Sequence, residues 1–420
     1  MLSSPRSASL RVDEYLFLLG VALTPIMRPD VWVGAFVIPA DFVFASATLA
    51  FAISLARGRA RIFPSRFYWF LSAYFGAVLL SAIASAERRA SIAKAGIDLY
   101  LLLLAGLALN QAHGLAGFRR MLRAWLVGST VTALAALLGV IGFYIRIRGP
   151  LMNVLLGTYG GLPPGNYPRV TGLFLNFNML CNFLSISVLL VFLARRAGWL
   201  SARASQLLVG LFLVAAIFTV SPGLGGLGLG VCLWLAVDAR DRHKAWRARL
   251  WCSVGLVIAA GFLFASAFVP AKWSSPAQST YELAPSGRLN CWQAAMRTFA
   301  DHPLLGLGTG LPMHCPDYQV PAGEVQQLED AHNLYLNIAA LKGGLGLAAF
   351  LALAFYLMRG TVWRFEPNAL AVQATLAIAF VQAVLYQGLT GSFEHTRHLW
   401  LLMGALAAWK GKSKRLEAEA

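Results

Sequence analysis

Apolar runs of membrane length recur along this chain, at residues 13–27, 31–55, 67–85, 92–111, 121–145, 171–194, 205–221, 223–238, 250–270, 332–357, 368–390 and 397–410. Crossing hydrocarbon takes about 20 apolar residues in a helix, because a helix pairs its own backbone groups where no water can. The expected fold is therefore an all-α polytopic integral membrane protein with about 12 transmembrane helices. Composition agrees, with 58% hydrophobic and 13% charged residues, where soluble domains carry roughly a quarter charged. The first run leads straight into further spans, so it is expected to stay as an anchor rather than be cleaved as a signal.

A net charge of +17 would suggest nucleic acid in a soluble protein, but its placement argues for topology. Arg57, Arg59, Arg61 and Arg66 follow the second run; Arg119, Arg120 and Arg123 the fourth; Arg195, Arg196 and Arg203 the sixth. Arg240, Arg242, Lys244, Arg247 and Arg249 follow the eighth, Arg359 and Arg364 the tenth, and Lys410, Lys412, Lys414 and Arg415 the last. By the positive-inside rule both termini and these loops are cytoplasmic, and no nucleic-acid partner is needed. Two long segments, 146–170 and 271–331, are left outside. We read a single membrane domain over 1–420 with 271–331 inserted as a large extracytoplasmic loop subdomain between spans 9 and 10. Loops beyond ~15 residues are usually functional or disordered, so the site is expected there.

Within the insert, Leu289, Trp292, Ala295, Met296 and Phe299 fall on one side of a helix over Ser286–Phe299, between Pro285 and the breaker His302-Pro303. Gly306, Gly308 and Gly310 then impose a turn, and 311–328 is polar enough for a mobile loop. Cys181, Cys232 and Cys252 fall inside apolar runs as small core residues. Cys291 and Cys315 lie outside, where an oxidising compartment would permit a disulfide.

Several patterns have a plain reading beside a functional one. The stretch Gly223–Gly228 has dinucleotide-site spacing but sits in a membrane run, so close helix packing through Gly226 and Gly230 is the better account. Asp41, Lys94 and Asp98 are ionisable groups within spans and hence functional candidates. Lys94 and Asp98 can also pair four residues apart, and Asp41 follows Pro39 at a helix break, which favours a structural role. Glu394, His395, Arg397 and His398 cluster before the last span; two histidines beside a carboxylate suit a metal, and an ion-pair cluster is the simpler reading. On the outside, Arg146, Arg148, Arg169, Lys272, Arg288, Arg297, His302, His314 and His332 make a cationic face. Its guanidinium groups suit phosphate or diphosphate, or else snorkel to membrane lipids.

The string SGRLNCWQAAMRTFADHPLLGLGTG from Ser286, a polar loop, and AHNLYLNIAALKGGLGL from Ala331 resemble the signature region of the O-antigen ligase and polymerase superfamily. RVTGLFLNFNMLCNFL from Arg169 resembles that family's pattern before an earlier span. One departure is Ser221-Pro222-Gly223, where family members often place an arginine after the serine, so that residue cannot be carried over. The remainder of the chain matches only in hydropathy and helix number.

The resemblance implies an enzyme of the bacterial inner membrane with a periplasmic active site. It would transfer polysaccharide from undecaprenyl diphosphate to a sugar hydroxyl of lipid A–core, without a cofactor or metal. Arg288 is the first candidate to stabilise the diphosphate leaving group and Arg169 the second, with Arg146 and Arg148 as helpers. His332 heads a membrane helix, where the partial positive charge favours the neutral imidazole a general base needs. Asn333 or Asp330 would orient ring or substrate, and a single displacement would invert the anomeric centre. His302 is read as fixing the turn before Pro303. A repeat-unit polymerase or a protein O-oligosaccharyltransferase would share these motifs and differ in acceptor. A transporter or flippase would move its substrate without Arg288 or His332.

Overall fold

The computed structural model describes residues 10–28, 31–32, 36–159, 167–238, 245–272, 281–285, 287–313, 315, 318–319, 325–326, 330–361, 363, 368–393 and 395–410. Every apolar run contains a helix. In chain order the helices are α1 Val12–Leu23, α2 Pro39–Ala56, α3 Phe67–Ala84, α4 Arg88–Gln111, α5 Leu115–Tyr144, α6 Pro150–Leu155, α7 Phe177–Arg196, α8 Ala202–Ile217, α9 Gly223–Asp238, α10 Ala245–Ala267, α11 Gly287–Asp301, α12 Leu334–Met358, α13 Asn368–Phe380 and α14 Arg397–Trp409. Only α6 and α11 lie in the two long segments between runs. The expected helix over Ser286–Phe299 is α11, shifted at its start by one residue.

Among the described residues, eight helices are long and apolar enough to cross a membrane: α2, α3, α4, α5, α7, α10, α12 and α13 with its continuation to Leu389. The chain is a multi-pass membrane protein. The expected count of about 12 spans is not confirmed by length alone: α1 has 12 residues, α14 has 13, and α8 and α9 have 16 each. Local chemistry sets these lengths. The second run does not helix throughout: Val31–Trp32 pairs with Phe36–Val37 as a hairpin. Pro39 then opens α2, where the Asp41 carboxylate accepts the Ile38 N–H at 2.9 Å as a cap.

The all-α expectation holds for the bundle, while among the described residues the connections carry four short antiparallel strand pairs. One of them pairs Leu156–Tyr159 with Tyr167–Val170 and sets Arg169 opposite Gly157. The most apolar window of α7 is 83% buried and that of α10 only 22%, so α7 runs through the middle of the bundle and α10 lies at its edge. The glycines of α9 are a packing device, as expected. A methyl at Gly226 would sit 2.7 Å from the Gln387 side chain and one at Gly230 2.9 Å from that of Gln382. Both glutamines lie where α13 unwinds through a π-turn, Val381–Tyr386, and a 3-10 turn, Gln387–Leu389.

Candidate active site

The start of α12 is tied down from two sides. Asn333 caps it, accepting the N–H groups of Tyr335 and Leu336 at 3.1 and 3.2 Å, and its own amide donates to Leu389 O at 3.4 Å. His332 takes φ +46°, a left-handed backbone that a non-glycine residue adopts only when its surroundings enforce it. Asp330 enforces it. One carboxylate oxygen accepts the His332 N–H at 2.7 Å and the Ser392 hydroxyl at 3.2 Å, and meets the imidazole Nδ1 as well. A carboxylate at Nδ1 keeps a proton on that nitrogen, so the neutral ring presents Nε2 as its lone pair. Burial alone would raise the Asp330 carboxyl. The hydrogen bond and charge of His332, with the bonds from the His332 N–H and Ser392, hold it below the ordinary carboxylate value. Of the two residues expected to orient the ring, Asp330 touches it and Asn333 fixes the helix beneath it.

Farther along α12 the helix breaks, with Gly343 at φ +68° and ψ −172°. An unbroken helix would bond Gly344 N–H to Ala340 O and Leu345 N–H to Leu341 O. Instead the glycine-rich turn enters the gap. Leu307 and Gly308 donate to the carbonyls of Ala340 and Leu341 at 2.9 and 3.1 Å, while Gly344 and Leu345 donate to those of Pro303 and Leu304 at 2.8 and 3.3 Å. The contact leaves no room for side chains: a Cβ on Gly306 would lie 2.4 Å from the Leu341 carbonyl carbon.

Next to the break lies a buried ionic junction. Lys342 Nζ is 3.3 Å from Asp98 Oδ1 and donates to the Tyr74 hydroxyl at 3.0 Å. Asp98 also faces His395 Nε2 at 3.4 Å and accepts from the Thr309 hydroxyl at 3.2 Å. Asp98 thus pairs with Lys342 and meets His395, both from other elements. Asp41 likewise pairs with Arg397, at 2.9 and 2.6 Å, and accepts from the Tyr100 hydroxyl at 2.7 Å. The cluster expected at 394–398 is divided among these tasks: His395 goes to Asp98, Arg397 to Asp41, and His398 to Asn182 Oδ1 at 2.9 Å deep in the bundle. Glu394 lies outside the described residues, as do His314, the Lys272 side chain and most of the polar loop 311–328.

The candidate arginines divide too. Arg288 sits half-buried in the first turn of α11. That helix packs through Cys291 and Ala295 into a cluster with Ala331, Leu336 and Ala340, so the helix bearing Arg288 rests on the chain flanking His332. Arg169 donates to the carbonyls of Thr219 and Val220 at 3.0 and 3.1 Å, and its guanidinium lies 3.1 Å from the centroid of the Phe177 ring. It anchors the chain just before Ser221-Pro222-Gly223, where an arginine was missing from the expected pattern. Arg146 and Arg148 are exposed at the end of α5. Cys291 and Cys315 are buried free thiols hydrogen-bonded to each other.

Sequence reasoning passed over two features. Lys342 is a lysine in the middle of an apolar run and is fully buried, which alone marks it for attention. Arg88 and Arg89 line a cleft of about 840 Å³ together with Glu87, His302 and Gly306. Their signal was the polar stretch Ala86–Ser91 between the third and fourth runs, on the side where topology expects few cations.

Residues 181–351 match the family model described as O-antigen ligase, a span that runs from α7 into α12 and includes α11, the glycine-rich turn, Asp330 and His332. No curated protein matches the chain significantly.

Proposed function

Because residues 181–351 belong to the O-antigen ligase and polymerase superfamily, we propose that this protein transfers polysaccharide from undecaprenyl diphosphate to a sugar hydroxyl of lipid A–core. In this reading the chain lies in the bacterial inner membrane with both termini cytoplasmic, and residues 271–331 form a periplasmic subdomain over the site. The observation that carries the proposal is the Asp330–His332 pair at the head of α12.

His332 Nε2 takes the proton of the acceptor hydroxyl as its oxygen attacks the anomeric carbon. The bond from that carbon to the phosphate oxygen breaks, and undecaprenyl diphosphate departs with the electron pair, inverting the centre. The Asp330 carboxylate stabilises the imidazolium that forms. Arg288 stabilises the negative charge developing on the leaving diphosphate, more in the transition state than in the ground state. Arg169, placed as it is on the 219–220 carbonyls, shapes the site, and Arg146 and Arg148 meet the donor at its rim.

The test is transfer of lipid-diphosphate-linked glycan to lipid A–core by purified protein in the presence of a chelator. Loss of a general base lowers the rate by roughly 10²–10⁴-fold, which is the expectation for His332→Ala. Arg288→Ala is expected to lose roughly 10²–10³-fold. Elongation of the lipid-linked glycan in place of transfer to lipid A–core would make the protein a polymerase. Undiminished transfer by His332→Ala would refute the assigned base.

A further inference from the structure

The cleft between the α3–α4 turn and the glycine-rich turn has the makings of a lipid headgroup site. Arg88 and Arg89 are exposed on its wall, and Glu87 is the one carboxylate among the described lining residues. Arg88 opens α4, a helix of 24 residues with no acidic residue in its first turn and no side-chain cap from Glu87, so its amide end adds positive potential to the two guanidinium groups. His302 and Gly306 form the opposite lip.

The wall is firmly built. Ser85 and Ser91 press on Gly308, where a Cβ would come within 2.3 and 2.8 Å of their hydroxyl oxygens. Gly308 is itself bonded to Leu341 across the break in α12. Behind the lining, against Gly308, the Ser91 hydroxyl is fully buried and has no hydrogen-bond partner among the described residues.

Apolar surface adjoins the cations. Leu80 and Ile83 on the last turns of α3, and Ile92 on the first of α4, are 52%, 51% and 50% exposed. On a membrane-spanning helix such side chains face lipid tails. Cationic forks above an apolar flank match one ligand chemistry, an amphiphile with phosphate at its head.

We propose that this cleft binds the phosphate-bearing headgroup of a lipid, held by Arg88 and Arg89, with its tail along Leu80, Ile83 and Ile92. The volume, about 840 Å³, falls within the range of small-molecule sites. Such a lipid would enter sideways from the bilayer and meet the glycine-rich turn that is docked on α12. The binding claim stands on charge and shape; its use for the donor lipid rests on the transferase reading.

The experiment measures binding to the full-length protein in nanodiscs of uncharged lipid, with three probes: undecaprenyl diphosphate, phosphatidylglycerol and inorganic pyrophosphate. Arg88→Gln/Arg89→Gln is expected to weaken lipid binding by about tenfold or more. Arg88→Lys/Arg89→Lys should lose less, and Arg57→Gln/Arg59→Gln, just past the end of α2, should lose nothing. Undecaprenyl diphosphate that resists displacement by phosphatidylglycerol would mark the donor lipid as the ligand; equal competition would mark ordinary phospholipid. Unchanged affinity in the glutamine variant, or pyrophosphate binding as tightly as either lipid, would overturn the proposal. Binding is read without acceptor, so a wild type that binds lipid here yet transfers nothing when lipid A–core is supplied would count against the transferase reading alone.

Discussion

Lys342 and Asp98 form an ion pair, 3.3 Å apart, with side chains 0% and 1% exposed. Two such charges gain little net stability from their attraction, yet removing one strands the other. Lys342→Met is therefore expected to destabilise the protein by about 3–5 kcal/mol. Asp98→Asn/Lys342→Met should recover a large part of that loss. Unfolding midpoints in detergent, measured for the single and double variants, check both statements.

The break in α12 makes a second prediction. Gly343 and Gly58 share φ +68°, but a Cβ on Gly343 would lie 2.2 Å from Leu304 O while one on Gly58 meets nothing within 4 Å. Gly58→Ala carries backbone strain of about 1 kcal/mol; Gly343→Ala carries more, because ψ −172° puts it in backbone space essentially reserved for glycine, and it adds a collision with main chain, for a total of roughly 2–4 kcal/mol. Thermal unfolding of the two variants should therefore show the larger loss at Gly343.

Asp330 sets the pH behaviour of the helix start. Its carboxyl is held below the ordinary value, so the support it gives His332 is complete above about pH 4 and fades as pH falls through the lowered value. Hydrogen exchange at the amides of His332 to Leu336 should then be equally protected from pH 5 to 8 and lose protection only in stronger acid. Asp330→Asn, which cannot hold the same charge at Nδ1, should lower transfer by roughly 10²-fold or more while protein yield is unchanged.

The thiols of Cys291 and Cys315 provide a chemical readout of the α11 contact. Burial pushes both upward, and each is raised further by the nearby Asp330 charge. Little thiolate exists at neutral pH, so alkylation by a maleimide should be at least roughly tenfold slower in the folded protein than after unfolding. Fast labelling of the folded chain would mean that α11 does not pack on α12 as described.

How far could the residues alone lead? Every apolar run proved to contain a helix, and α11 was bounded to within two residues at each end, because hydropathy and helical spacing are local signals. Span lengths were less legible: nothing in the hydropathy of 31–55 reveals that its first residues form a hairpin and that Pro39 begins the helix. Long-range choices were hidden altogether. Asp98 has Lys94 four residues away, yet it pairs with Lys342 of α12 and faces His395, the residue before Thr396. The glycines at 306, 308 and 343 announced tight turns, but not that one set fills the gap opened by the other. Asp330 and His332, neighbours in sequence, were readable together; Arg88 and Arg89 were not, since their importance depends on His302 across the cleft.

The spliced α12 also has a consequence for how the chain is made. A span that enters hydrocarbon with two N–H groups and two carbonyls unmatched is held back by several kcal/mol for each group. Here all four find their counterparts in Pro303–Gly308, a segment that leaves the ribosome before α12 does. The complement is thus already in existence when the interrupted helix needs it. Reversing that order, by a circular permutation that places residues 303–308 after α12, would leave the nascent span without it during insertion.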